Sequence, residues 1–193
     1  MGKIKGISFG AYGIAFKVAL TIEITIGGHT VTFVNCHLPS GWEEAEAITR
    51  AEKIDEIYEK LDLGKSDIAI WSGDFNFRSF YKTDFNNSDS TGTLDVEDVL
   101  KMRKKIADED ELKHFEFNKI VRAYGFVDSG FPDKPSFKIS KKSTKGIPLY
   151  ALNRRFSFTD RILYRTNSLS ECKCEIEGSL NDEFIGTAVS DHL

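Results

Sequence analysis

The sequence predicts an α/β sandwich in which two mixed, largely antiparallel sheets pack face to face, with helices outside. Three observations predict it. A Gly-Gly pair at 27–28 joins two strand-like segments, apolar residues recur at helical spacing over 43–61, and an apolar run ending at Trp71 is long enough for one buried strand. Because hairpin, helix and strand follow one another directly, we expect them to pack as layers around one core.

Composition is that of an ordinary globular protein. The chain has 193 residues, of which 40% are hydrophobic and 29% charged, so we expect a single domain over 1–193. The formal net charge of −4 and the lack of an extended basic stripe argue against nucleic acid as a partner. Three cysteines, an odd number, predict a reducing compartment and therefore a cytoplasmic protein.

The N-terminal part is predicted to form a β-hairpin. From position 16 to position 26, apolar residues occupy every second place and mostly polar residues fill the gaps, which is typical of a half-buried strand with its apolar side in the core. A Gly-Gly pair suits a two-residue hairpin turn. The register this turn sets pairs Ile24 with Val31 and Ile22 with Phe33.

A helix is predicted over 43–61. The segment Ser-Gly-Trp-Glu at 40–43 is typical of a capping box, and Gly64 is expected to end the helix. The apolar residues expected on its buried side are Ile48, Ala51, Ile54, Ile57, Tyr58 and Leu61. Beyond the strand to Trp71, the pattern predicts a loop over 79–94, helix over 95–124 with a break at 108–110, and strands over 155–164 and 172–176.

The strand that ends at Trp71 runs directly into polar residues. Asp74 and Asn76 follow it within five positions. In an extended segment, residues two apart point the same way, so this carboxylate and this amide could face one ligand. The alternative is an Asx turn that only closes the strand.

Five short segments, in order along the chain, resemble the inositol polyphosphate 5-phosphatases, which have the endonuclease/exonuclease/phosphatase fold. They are Asn-Cys-His-Leu at 35–38, Trp-Ser-Gly-Asp-Phe-Asn-Phe-Arg at 71–78, Pro-Ser-Phe-Lys at 135–138, Phe-Thr-Asp-Arg-Ile-Leu at 158–163 and Ser-Asp-His at 190–192. The resemblance implies magnesium-dependent hydrolysis of the 5-phosphate of inositol polyphosphates or phosphoinositides. Through a lipid substrate it also implies peripheral membrane contact.

The resemblance assigns roles to individual residues. The catalytic residues that it implies are His37, Asp74, Asn76, Asp160 and His192. The substrate-binding residues that it implies are Arg78, Lys138, Arg154 and Arg161, and Asp191 is expected near the Mg²⁺. In this scheme Asp74 orients or deprotonates the attacking water, Asn76 donates to the phosphate, and Asp160 accepts a hydrogen bond from the ring of His192.

The chain also departs from the family pattern. The family's first strands, which carry its main magnesium-binding Glu, and its last strand find no match here, so an incomplete domain is expected. One alternative is therefore a weak or inactive relative that binds phosphoinositide or a partner without turnover. Another is a nuclease or sphingomyelinase of the same fold, although Lys138 and Arg154 favour inositol phosphate. The oligomeric state is left open.

Overall fold

The computed structural model describes residues 3–12, 15–82, 92–114, 117–131, 135, 149–152 and 155–167. The strands in this part of the chain are β1 (Lys3–Tyr12), β2 (Ala15–Ile26), β3 (His29–His37), β4 (Ile68–Asp74), β5 (Thr93–Asp95), β6 (Val127–Asp128), β7 (Leu149–Ala151) and β8 (Asp160–Thr166). The α-helices are α1 (Glu44–Lys60), α2 (Val96–Asp108) and α3 (Lys119–Arg122). No helix in these ranges is long and apolar enough to cross a membrane.

Contacts within the chain group into two compact units, each assembled from three separate stretches. The first unit comprises 1–76, 115–130 and 160–175, and contains α1, α3 and a six-stranded sheet in the order β1-β2-β3-β4-β8-β6. The second comprises 77–114, 131–159 and 176–193, and contains α2 and the pair β5-β7. The predicted α/β class with two sheets and helices is confirmed. Face-to-face packing of the sheets and the single domain stay predictions.

The hairpin is confirmed in its residue pairing. Ile22 lies opposite Phe33 and Ile24 opposite Val31, and both turn glycines have positive φ, at 57° and 87°, as a type I′ turn requires. The chain then passes through α1 into β4, which pairs with β3 in parallel, whereas the other neighbours in this sheet are antiparallel. Because parallel neighbours end at the same edge, β3 and β4 bring their last residues together.

Helix α1 confirms the predicted range 43–61, but the residues predicted to cap it were wrong. It begins one turn later than a box at 40–43 would place it: Glu43 is the N-cap, and its backbone N–H donates to the carboxylate of Glu46 at 3.0 Å. The chain turns away at Asp62, whose φ of 56° is left-handed, rather than at Gly64. Aspartate tolerates this conformation better than most residues, so no glycine is needed.

The six-stranded sheet has one buried and one exposed face, and β2 is buried on the side opposite to the predicted one. We define the closed face by the buried residues Ala19, Thr21, Thr32, Val34, Cys36, Ala69, Trp71, Arg161, Leu163 and Arg165. We define the open face by Ile4, Leu20, Ile22, Ile26, Phe33 and Val127, which are between 41% and 76% exposed. The apolar side of β2, expected in the core, therefore belongs to the open face.

Helix α1 covers the closed face, which explains the reversal. Arg165 on β8 donates to the hydroxyl of Tyr58 on α1 at 2.7 Å, and Thr32 on β3 hydrogen-bonds Ser66 just beyond the helix at 2.6 Å. The buried residues of α1 are Ala47, Arg50, Ala51, Ile54 and Ile57. Ile48, predicted among them, is exposed. The hydrogen bonds of Thr32 and Arg165 offset the cost of burying these polar side chains on the closed face.

The second unit has its own small core. Its buried residues are Val99, Ile106, Ala107, Tyr150, Phe156 and Phe158. Helix α2 begins after Asp95, whose carboxylate accepts the backbone N–H of Asp98 at 2.9 Å, and it ends at the predicted break. The strand predicted from position 155 begins only with β8, and the strand predicted over 172–176 lies outside the described residues.

Candidate active site

Three strands of the first unit end in one row of acidic and imidazole side chains. His37 ends β3 and lies directly opposite Asp74, which ends β4. Asp74 in turn lies opposite Asp160, which begins β8. The nearest side-chain atoms of the first pair, His37 Nε2 and Asp74 Oδ2, are 3.4 Å apart. Three of the predicted catalytic residues therefore meet at one edge of the sheet, as the positions of their motifs indicated.

A glycine allows β3 and β4 to approach closely just before this row. Gly73 has φ of 126°, and a Cβ atom built on it would lie 2.2 Å from the carbonyl oxygen of Cys36. Any larger residue would push the strands apart, because the opposing atom belongs to the backbone and has no room to rotate away. The Gly before Asp74 in the motif therefore has a steric reason.

The carboxylate of Asp74 is held by the residue two positions later. Asn76 donates from its backbone N–H to Oδ1 at 2.9 Å and from its side-chain Nδ2 to Oδ2 at 3.1 Å. The same Nδ2 donates to the carbonyl of Leu38 at 2.9 Å. Asn76 is buried with a left-handed φ of 54°, so the backbone is not extended and the Asx turn considered as the alternative is present.

The side-chain amide of Asn76 has hydrogen-bond partners within the chain, Asp74 and Leu38, whereas the prediction gave it the phosphate as partner. An amide nitrogen has two protons, and in this structure both are directed at Asp74 and Leu38. Asn76 thus fixes the orientation of the Asp74 carboxylate and ties it to the loop after β3. A direct contact from Asn76 to a phosphate would need one of these bonds to open, and it stays a prediction.

The thiol beneath this row is inert. Burial raises the pKa of Cys36 far above its ordinary value, and the negative charges of Asp74 and Asp160 add to this shift. A thiol that stays protonated is a poor nucleophile. Cys36 therefore fills space below the site and takes no part in its chemistry.

A buried lysine also contacts the row, and the sequence reasoning missed it. Lys17 on β2 is 3% exposed, and its Nζ lies 2.5 Å from Nε2 of His37. It was interpreted only as one of the polar residues between the apolar positions of β2. The predicted hairpin register gave no signal for this contact: extended to the strand end, it places Val18 opposite His37, and strand alternation turns the neighbouring Lys17 to the other face.

Two of the predicted substrate-binding arginines, Arg78 and Arg161, are buried. The side chain of Arg161 has no exposed surface and forms an ion pair with Asp128, which is the environment of a structural arginine. Arg78 belongs to the second unit and is also buried. Its backbone N–H donates to the carboxylate of Glu111 at 3.0 Å. A substrate role for either arginine would require a rearrangement of these side chains and stays a prediction.

The remaining predicted site residues lie outside the part of the chain that the structure describes. They are Lys138, Arg154, Asp191 and His192. Within the described ranges, no group of three or more His, Cys, Asp or Glu side chains is arranged to hold a metal ion. The described residues do not by themselves fit a magnesium site, and the assignment of Asp191 to the metal stays a prediction.

A comparison with known protein families shows to which of them the chain belongs. The model of endonuclease/exonuclease/phosphatase family 2 matches residues 2–193. The chain belongs to this family. The resemblance that the five short motifs indicated is thereby confirmed over the length of the chain, and it includes the strand ends that carry His37, Asp74 and Asp160.

Two curated relatives of this endonuclease/exonuclease/phosphatase family member are 5-phosphatases. Human phosphatidylinositol 4,5-bisphosphate 5-phosphatase A is 26% identical over 168 residues, which cover 79% of this chain and 15% of that protein. Mouse inositol polyphosphate 5-phosphatase K is 28% identical over 173 residues, which cover 83% of this chain and 34% of that protein. The chain thus spans about a third or less of the length of these relatives.

A solved structure supports the fold. The inositol polyphosphate 5-phosphatase domain of SPsynaptojanin, crystallised with inositol (1,4)-bisphosphate and a calcium ion, matches 85% of this chain and 47% of its own, with a TM-score of 0.56 and 21% sequence identity. At this identity the match shows that the fold is shared. It agrees with the mixed sheet found here, in which the hairpin β2-β3 is followed by the parallel strand β4.

Proposed function

We propose that this chain is a 5-phosphatase domain that hydrolyses the 5-phosphate of inositol polyphosphates or phosphoinositides. The observation that carries the proposal is the anchored carboxylate of Asp74, which has Asn76 on one side and His37 on the other. The similarity of the chain to two 5-phosphatases supports this substrate class. We also propose that it acts in the cytoplasm, in peripheral contact with a membrane when the substrate is a lipid.

The geometry suits Asp74 to the activation of water. Its side chain is 19% exposed and that of His37 is 35% exposed, so solvent reaches both. The two hydrogen bonds from Asn76 fix the plane of the carboxylate, and an acid–base group contributes most when it is held in position. Water would attack phosphorus and pass one proton to Asp74, while the bond from phosphorus to the ring oxygen breaks. The ring oxygen would take a proton from solvent water and leave as a hydroxyl.

Magnesium is the metal ion that we propose for this reaction. When bound, it would neutralise charge on the phosphate oxygens. Asp191 is the ligand that the family resemblance suggests. Lys138 and Arg154 are proposed to hold a neighbouring phosphate of the inositol ring, because arginine and lysine are the usual phosphate-binding residues.

Phosphate release tests the proposal. We would measure inorganic phosphate from inositol 1,4,5-trisphosphate and from vesicles that contain phosphatidylinositol 4,5-bisphosphate, with magnesium and with a chelator. Asp74→Asn should lower the rate at least about a hundredfold, the lower end of what a placed acid–base group contributes. Asp67→Asn is the matched control, because Asp67 is a partly exposed acid just before the opposite end of the same strand and accepts only structural hydrogen bonds such as that from Thr30.

The outcomes separate the candidate functions. Turnover that Asp74→Asn removes and Asp67→Asn preserves supports the 5-phosphatase. Binding of the trisphosphate without phosphate release would show a phosphoinositide-binding relative instead. Turnover that Asp74→Asn leaves unchanged would contradict the role assigned to this carboxylate.

A further inference from the structure

Lys17 is the least expected member of the candidate active site. It lies on β2, where the sequence pattern places it among solvent-facing polar residues, yet it is 3% exposed. A buried ammonium group is costly unless it is paired or hydrogen-bonded. Its Nζ lies 2.5 Å from Nε2 of His37, on the ring that also faces Asp74.

The chemistry of this contact fixes the protonation of the ring. An ammonium group donates hydrogen bonds and accepts none, so the nitrogen it meets must offer a lone pair. Nε2 of His37 is then the acceptor, and a neutral ring carries its proton on Nδ1. Among the residues that the structure describes, the charged groups on the neighbouring strand ends are Lys17, Asp74 and Asp160.

The second contact of the same nitrogen leads to the same conclusion. Nε2 lies 3.4 Å from Oδ2 of Asp74, which is 0.9 Å longer than its distance to Lys17. Only a protonated Nε2 could donate to that carboxylate, and a nitrogen that accepts from an ammonium has no proton to give. The shorter contact therefore decides which of the two bonds forms.

We propose that Lys17 is a positioning residue that holds His37 in its neutral Nδ1–H form and so prevents an imidazolium–carboxylate pair between His37 and Asp74. With the pair prevented, Asp74 retains its capacity to take a proton from water. The consequence for catalysis rests on the proposed function, whereas the protonation of His37 is a property of the folded chain and is measured without turnover.

Imidazole nitrogen NMR on ¹⁵N-labelled protein tests the inference at neutral pH. His37 would be assigned by the loss of its signals in His37→Gln. We expect a protonated Nδ1 and an unprotonated Nε2 in the wild type. In Lys17→Met the ring should change to the Nε2–H form or become doubly protonated, and Lys17→Arg, which still donates, should keep the wild-type pattern.

Two controls keep the result interpretable. Lys3→Met removes a lysine from the adjacent strand, where it pairs with Glu23 at an exposed site, and it should leave the His37 signals unchanged. The signals of His29, at the hairpin, report whether Lys17→Met is folded.

Should that variant fail to fold, the wild-type spectrum still decides, because a wild-type His37 with a proton on Nε2 would overturn the inference. Unchanged His37 signals in folded Lys17→Met would overturn it as well.

The failure of this inference is distinct from the failure of the proposed function. If the chain releases phosphate, Lys17→Met should lower kcat about a hundredfold while KM stays within about threefold, since a positioning residue acts on the chemical step and not on substrate binding. An inactive chain with the expected His37 spectrum would contradict the 5-phosphatase and retain the Lys17 contact. An active chain whose His37 carries its proton on Nε2 would contradict the Lys17 inference and retain the 5-phosphatase.

Discussion

The closed and open faces of the six-stranded sheet differ in a way that hydrophobicity alone does not predict. The closed face buries two arginines and two threonines, whereas the open face exposes isoleucine, leucine and phenylalanine. Several polar groups of the closed face have partners: Thr21 donates to the carbonyl of Phe33 at 2.9 Å, and Arg165 donates to Tyr58 and to the carbonyl of Leu63. The difference shows that burial follows the position of the covering helix.

The closed face also supports the candidate active site. Arg50 of α1 is completely buried and donates to the carbonyls of Pro39 and Gly41 at 3.2 and 3.0 Å, which fixes the loop after His37. Trp71 lies on the same face three residues before Asp74, with its ring 5.7 Å from that of Phe75. Changes on this face should therefore alter both stability and the site, whereas changes on the open face should alter neither strongly.

The largest expected effect comes from Trp71. Trp71→Ala should lower the free energy of unfolding by about 3–5 kcal/mol, because it leaves a cavity where a completely buried ring packs against Phe75 and Phe126. Phe33→Ala on the open face should cost roughly 1 kcal/mol, since much of that ring is already in water. Urea denaturation of the two variants measures the difference. Equal losses would mean that the open face is covered in solution.

A smaller effect is expected from the buried arginine of β8. Arg165→Met should cost about 2–3 kcal/mol, because the Tyr58 hydroxyl and the Leu63 carbonyl lose a charged donor. Lys60→Met is the matched control: its ammonium pairs with Glu56 on the exposed side of α1, and its loss should change stability by less than about 0.5 kcal/mol. A stabilised Arg165→Met would show that the closed face prefers an apolar residue at this position.

Neighbouring positions on β2 give a direct test of the reversal. Thr21→Val should cost about 1 kcal/mol although it adds an apolar residue, because the hydrogen bond to the carbonyl of Phe33 is lost. Ile22→Thr removes an apolar residue, but it should change the free energy of unfolding by less than about 0.5 kcal/mol because Ile22 is exposed. Chemical denaturation of both variants measures the difference. A larger loss of stability in Ile22→Thr than in Thr21→Val would mean that the apolar side of β2 lies in the core.

Local patterns predicted the parts of the fold that depend on neighbouring residues. The hairpin register followed from two glycines and the alternation around them. The parallel pairing of β3 with β4, which makes neighbours of His37 and Asp74, came from the structure. The position of α1 over one face did not follow, because strand alternation defines two faces but does not say which one a helix covers. Thr21 and Ile22 were therefore assigned to the wrong sides.

Three of the residues that meet at the strand ends were predicted, but not all of their contacts. Motif order selected His37, Asp74 and Asp160, and strand ends brought them together. The left-handed conformation of Asn76 was not visible in the sequence, and it redirects the amide from the expected ligand to Asp74. Lys17 was missed because its role depends on a contact between strands at their very ends.

The smallest effect concerns Tyr124, which lies just after α3 and contacts α1, and it changes only at high pH. The ring of Tyr124 stacks on that of Tyr58 at 3.7 Å, and its hydroxyl donates to Asp55 at 2.9 Å. Burial, followed by this hydrogen bond and the charge of Asp55, raises the pKa of Tyr124 from 10.0 to about 12. The fold therefore favours the protonated phenol, and this contribution to stability is complete below pH 10.0 and is lost as the pH rises towards about 12.

Tyr124→Phe isolates this contribution from the other groups that titrate in the same range. The variant should be less stable than the wild type at neutral pH, because it lacks the bond to Asp55. Its disadvantage should shrink between pH 10.0 and about 12, where the wild type loses the bond as well. Thermal unfolding of both proteins at several pH values measures the gap between their Tm values. A gap that stays constant across this range would mean that the Tyr124 hydroxyl has the same pKa in the folded and unfolded chains. The contact with Asp55 would then not favour the protonated phenol.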